Sequence, residues 1–151
     1  MKKILVVYHT QSGNTQNLAK AFKKGASSVR GVKVVMKKAL KATLGDLLGC
    51  DAYVFGTPDY FSYMAGALKD FFDRTCYPSD GKIDRRPYIA FVSHGGGGEA
   101  IKSLERMGRR FNLKRFSRPL LIEGKPSKKA LKKSQELGKK LAGFITTHDK
   151  D

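Results

Sequence analysis

Ile4-Leu5-Val6-Val7 is an uninterrupted apolar run of β-prone residues, and the chain changes period immediately after it. A run of this kind, with no polar alternation, reads as a strand buried on both faces. Over residues 14–30, Leu18, Phe22, Ala26 and Val29 then recur at three-to-four spacing, while Lys20, Lys23 and Lys24 point elsewhere, which is the pattern of an amphipathic helix. This switch repeats along the chain. Strands are predicted at residues 3–8, 32–36, 52–55, 88–92 and 119–122. Helices are predicted at 14–30 (ended by Gly31), 43–48 (capped by Thr43), 63–74, 98–111 and 127–147 (capped by Ser127). The segment Gly56-Thr57-Pro58 is expected to stop the third strand. Five strands alternating with five helices predict an α/β fold with a parallel sheet covered on both faces and right-handed crossovers.

A chain of 151 residues fits one domain, residues 1–151, with no internal repeat or linker. Hydrophobic residues make up 40 % and charged residues 28 %, the balance of an ordinary soluble globular protein. No segment has the apolar length of a membrane span. The basic tip and apolar run of MKKILVVYHT mimic a signal peptide, but the run is short and lacks a small-residue cleavage site, so a cytoplasmic location is expected. Cys50 and Cys76 stand outside any CxxC motif and away from histidines at metal-ligand spacing, so reduced thiols and no metal site are expected.

In open α/β sheets, ligands bind beyond the carboxyl ends of the strands. Three predicted loops lie there, and all have unusual composition. The first, His9-Thr10-Gln11-Ser12-Gly13-Asn14-Thr15, leads from a strand into a helix N-terminus. Its hydroxyls, amide and glycine suit a phosphate monoester held by helix N–H groups without a metal. It is neither a GxxxxGK[ST] P-loop nor a GxGxxG fingerprint, and a polar turn with a helix cap is the plainer alternative. The second, Gly56-Thr57-Pro58-Asp59-Tyr60-Phe61-Ser62-Tyr63, crowds three aromatic residues around a proline and is suited to walling a flat heterocycle. The third, Ser93-His94-Gly95-Gly96-Gly97-Gly98-Glu99, carries four successive glycines, a costly run that fits close backbone approach to a ligand.

At these loops the chain resembles the flavodoxin-like superfamily. The stretch GTPDYFSYMAGALKDFFDR, Gly56 to Arg74, is similar to the multimeric flavodoxins, which include tryptophan-repressor-binding-protein-like quinone reductases and NAD(P)H-dependent FMN reductases. In element order the resemblance spans nearly the whole chain. It implies a three-layer sandwich on a five-stranded parallel sheet of order 2-1-3-4-5, the order by which flavodoxin is known among doubly wound folds. It also implies FMN as cofactor. Thr10, Gln11, Ser12, Gly13, Asn14 and Thr15 would hold the phosphate. Pro58, Asp59, Tyr60 and Phe61 would line one side of the isoalloxazine, with Ser93, His94, Gly95, Gly96, Gly97 and Gly98 along another side and the ribityl chain. No catalytic side chain is implied, because the flavin carries the chemistry.

The formal net charge of +17 points to something acidic as partner. Three readings follow: an electron carrier for an acidic redox protein such as a ferredoxin; a small NAD(P)H-dependent quinone or FMN reductase; and a basic nucleic-acid-binding module on the same fold. The third has the lysines at 128, 129, 132, 133, 139 and 140 with Arg106, Arg109, Arg110, Lys114 and Arg115, but no accompanying motif that reads bases.

Overall fold

In the computed structural model, which describes residues 1–148, strands and helices alternate as β1 Lys2–Tyr8, α1 Asn14–Ser27, β2 Val32–Lys38, α2 Leu44–Gly49, β3 Ala52–Pro58, α3 Gly66–Ser79, β4 Pro87–His94, α4 Ala100–Arg110, β5 Lys114–Arg115, β6 Leu120–Glu123 and α5 Lys128–Thr147. All paired strands run parallel, in the order β2-β1-β3-β4-β5, with β6 also on β4.

Alternate residues of the strands feed two cores. Ile4, Val6, Val54, Ile89 and Phe91 face α1 and α5. Leu5, Val7, Phe55, Tyr88 and Val92 face the layer of α2, α3 and α4. Central strands buried on both faces explain why their sequences read as continuous apolar runs.

On the first face, α1 and α5 pack backbone to backbone. A Cβ on Gly25 would lie 1.8 Å from the Gln135 carbonyl oxygen, and one on Gly138 would lie 2.2 Å from that of Phe22. On the other face, Thr43 caps α2 as expected, in a reciprocal box with Asp46. The Asp46 carboxylate also meets Lys37 Nζ at 2.9 Å. Ser127 caps α5 by accepting from the Ala130 N–H at 3.1 Å.

Four expectations need correction. The fifth strand is two short pieces that share the edge of β4, β5 beside Pro87–Tyr88 and β6 beside Phe91–His94. β3 runs on through Gly56-Thr57 to Pro58, paired with β4 throughout. α1 ends at Ser27, short of Gly31, whose carbonyl accepts from the Lys2 N–H and so begins the next strand pair. The third helix starts at Gly66 rather than residue 63, because Tyr63 pairs back onto Tyr60 and the Ala65 N–H donates to the buried Thr57 hydroxyl at 2.8 Å.

Candidate functional site

All three glycine- and hydroxyl-rich loops meet at the carboxyl ends of β1, β3 and β4. Between them lies a cleft of about 230 Å³ whose lining includes Ser12, Asn14 and Thr15 from the first loop, Pro58 and Asp59 from the second, and Ser93, His94 and Gly95 from the third. A fourth segment also contributes. Gly124, just past β6, lines the cleft and donates its N–H to the His94 carbonyl at 2.8 Å. Its signal was a lone glycine shortly after an apolar strand, a pattern too common along the chain to single out.

The first loop is built to leave a helix end open. Gly13 takes a left-handed backbone, φ 96°, and donates to the Thr10 hydroxyl at 2.9 Å. Thr10 thus shapes the turn by accepting, which leaves its own O–H to donate. No side chain caps α1 and no acid sits in its first turn. The first-turn N–H groups therefore keep their partial positive charge for an anion. Thr15 is buried and donates to the Ser93 hydroxyl at 3.1 Å, fastening the helix start to the end of β4. Gly56 permits this seating, since a Cβ there would approach Thr15 Cγ2 at 3.0 Å.

The second loop is a tight hairpin. Tyr60 and Tyr63 exchange backbone hydrogen bonds at 3.0 and 3.1 Å around Phe61 (φ 56°) and Ser62 (φ 64°). Two left-handed central residues make a type I′ turn, which favours Asn-Gly and strains a bulky side chain. The Phe61 ring at the tip is fully exposed (103 %) and does not line the cleft. Tyr60 donates to Gln11 Oε1 at 2.9 Å and sets its ring edge-on to His9, which locks the hairpin to the first loop. Partial burial raises the Tyr60 phenol above its ordinary pKa, so it remains a donor at neutral pH. Asp59 is also structural. One carboxylate oxygen accepts from the Ser62 N–H at 2.8 Å and the other from the Ala100 N–H at 3.0 Å.

In the third loop, Gly96, Gly97 and Gly98 have φ of 152°, 100° and 66°. Gly96 and Gly97 stand exposed beyond the cleft lining, while Gly98 is buried over the His94 imidazole. A Cβ on Gly98 would come within 3.1 Å of His94 Cδ2. His94 Nδ1 is buried without a hydrogen-bond partner, alone in this among the described side-chain nitrogens and oxygens. Such an orphan is expensive unless something else pairs with it.

The cleft is chemically unusual for so basic a chain. No lysine or arginine lines it, and its one charged side chain, Asp59, has both oxygens occupied. An anion here would be held by helix dipole, amides and hydroxyls. Among the described residues no group of three or more His, Cys, Asp or Glu is placed to hold a metal. Cys50 is buried, and burial pushes its thiol up to about 11, so it is protonated and unreactive at neutral pH.

Comparison with known proteins agrees with this geometry. The curated "Flavodoxin" of Aquifex aeolicus (strain VF5) is 37 % identical over 98 residues, 65 % of this chain, and the match spans only about half (53 %) of that relative. A solved structure described as a flavodoxin from the domain Archaea superposes with TM-score 0.87 at 28 % identity, covering 95 % of this chain and 99 % of the other. A WrbA-like protein from Agrobacterium tumefaciens shares the fold, with TM-score 0.81 at 19 % identity over 99 % of this chain and all of the other. The family described as flavodoxin matches residues 6–138, nearly the whole domain, and the chain accordingly belongs to the flavodoxin family.

Proposed function

We propose that this chain binds FMN and carries electrons to or from an acidic redox protein. The observation that carries the reading is the cation-free cleft at the open N-terminus of α1. It suits a phosphate monoester, and the two loops that flank it suit a flat ring. The residues fit FMN on a second count, since His94 Nδ1 is an orphaned polar atom that a ligand could satisfy. Ser12, Asn14 and the first-turn amides would hold the phosphate, with Thr15 and Ser93 fixing the helix end against β4. The hairpin of residues 60–63 and the run Gly95–Gly98 would flank the ring. When bound, the isoalloxazine supplies the one- and two-electron chemistry. The protein's own part is to position it and exclude water.

The partner reading rests on charge, because a basic surface steers acidic proteins by long-range attraction. With Cys50 and Cys76 both unpaired, we place the protein in the cytoplasm.

A second reading, an NAD(P)H-dependent quinone or flavin reductase, has one observation in its favour. A groove of about 320 Å³ runs beside the hairpin, lined in part by Tyr63, by Lys102 in its ion pair with Glu99, and by Arg106, a cation suited to a nucleotide phosphate.

The test is an absorption spectrum of the purified protein, affinities for FMN and riboflavin, and stepwise reduction. FMN should bind far more tightly than riboflavin, and electron exchange with an acidic ferredoxin should slow steeply as salt rises. Equal affinities would overturn the phosphate assignment. Rapid NAD(P)H oxidation coupled to quinone would favour the second reading.

A further inference from the structure

Nine of the chain's 30 lysines and arginines lie together on one layer of the sandwich. α1 and α5 lie side by side on the same sheet face. α1 exposes Lys20, Lys23 and Lys24 and holds no acid, while α5 exposes three adjacent lysine pairs at 128–129, 132–133 and 139–140 against the single acid Glu136. On each helix these lysines sit opposite the buried residues, so all nine project outward. Among the described residues none of the nine enters an ion pair. The opposite layer is different. Its acids Asp46, Asp70, Asp73 and Glu105 are each paired, with Lys37, Arg74, Lys69 and Arg115.

We infer that the α1/α5 lysine face docks flat on an anionic lipid bilayer surface. Three observations select this occupant. The cations of the face are all lysine, with no arginine fork and no exposed aromatic ring on either helix, so nothing on it stacks on bases. It is also a plate rather than a groove. The α5 lysines span about 18 Å along the axis, with those of α1 on the helix beside it. A plane reaches both rows at once, whereas a duplex cylinder meets a plate only along a line. Finally, the apolar sides of both helices are consumed in packing on the sheet and on each other, so attachment is electrostatic and superficial. Among the described residues no helix is long and apolar enough to cross a membrane, which agrees with attachment from outside.

This docking leaves the cleft free. The strands run parallel to the plate, and the loops of the cleft stand at their carboxyl ends. A bilayer lying on α1 and α5 therefore has the cleft mouth opening alongside it.

The test is flotation of the full chain with vesicles of phosphatidylcholine containing phosphatidylserine, and with phosphatidylcholine alone, at low and at physiological salt. Binding should require the anionic lipid and weaken with salt. Lys20→Glu, Lys24→Glu, Lys132→Glu and Lys133→Glu combined should lower partitioning by about tenfold or more. A control reversing four cations elsewhere, Lys82, Arg106, Arg109 and Lys114, to Glu should retain most of it. Circular dichroism checks that both variants are folded. Equal loss in the control, no partitioning of the parent chain, or tighter binding to duplex DNA than to the anionic vesicles at the same salt would each overturn the inference.

Discussion

The Thr15 hydroxyl donates to the Ser93 hydroxyl at 3.1 Å, joining two buried side chains 78 residues apart. This bond fixes the start of α1, and hence the direction of its dipole, against the last turn of the central sheet. Thr15→Val keeps the shape and removes the donor. It should cost about 1–3 kcal/mol in stability, because Ser93 is left buried and poorly paired. It should also weaken flavin retention. Denaturant unfolding beside a flavin titration checks both, and an unchanged midpoint would show that the bond is idle.

Phe61 and Ser62 hold left-handed backbone at a turn whose preferred residues are Asn and Gly. The Phe61 ring buries nothing in the chain itself. Phe61→Asn with Ser62→Gly should therefore stabilise the free protein by about 1 kcal/mol while loosening its hold on a flat ring. A rise in Tm accompanied by a fall in FMN affinity is the expected pair of results. A fall in both would mean that Phe61 packs on the protein rather than serving a ligand.

The contact of α1 with α5 depends on absent side chains. Gly25→Ala places a Cβ 1.8 Å from the Gln135 carbonyl oxygen, so the helices must separate. The expected loss is about 3 kcal/mol or more, an overpacking cost at the upper end of its range. Gly143→Ala on the partner helix α5 meets nothing within 4 Å and should be neutral or mildly stabilising, which makes it the control.

Asp46 titrates against two opposed influences. Its partial burial disfavours the charged form, but Lys37 and the Thr43 hydrogen bonds outweigh this and hold the carboxyl below its ordinary value. A depressed carboxyl stabilises the fold fully above the unfolded value near pH 4 and loses that contribution as pH falls through the folded value. Asp46→Asn should therefore reduce stability at neutral pH and flatten its decline in acid. Parallel curves for parent and variant between pH 6 and 2 would contradict this.

Most of the fold was legible because central parallel strands write themselves as unbroken apolar runs, as in Ile4–Val7, and the covering helices as periodic ones. The three loops were legible because glycines and hydroxyls are costly or idle unless used. Other features left no local trace. The apolar residues Met64, Leu68 and Phe71 suit a helix that begins at Tyr63, yet pairing of Tyr63 with Tyr60 removes that residue from the helix. Asp59 reads as a ring-side polar group, and nothing local shows that it also accepts from the distant Ala100 amide. Gly25 and Gly138 look like weak points in helices, and only the tertiary approach of the two backbones explains them.

The interrupted strand beside β4 bears on how copies of the chain behave when crowded. A long, straight sheet margin invites a second molecule to continue the hydrogen-bond ladder, the first step toward fibrils. Here one margin is cut into pieces, Lys114–Arg115 and Leu120–Glu123, with the bent stretch 116–119 between them. The other margin, β2, carries Lys33 and Lys38, whose like charges repel an identical strand, beside the Lys37 that pairs with Asp46. Both sides of the sheet thus refuse extension, one by shape and the other by repulsion, and the protein should resist amyloid-like assembly even at high concentration.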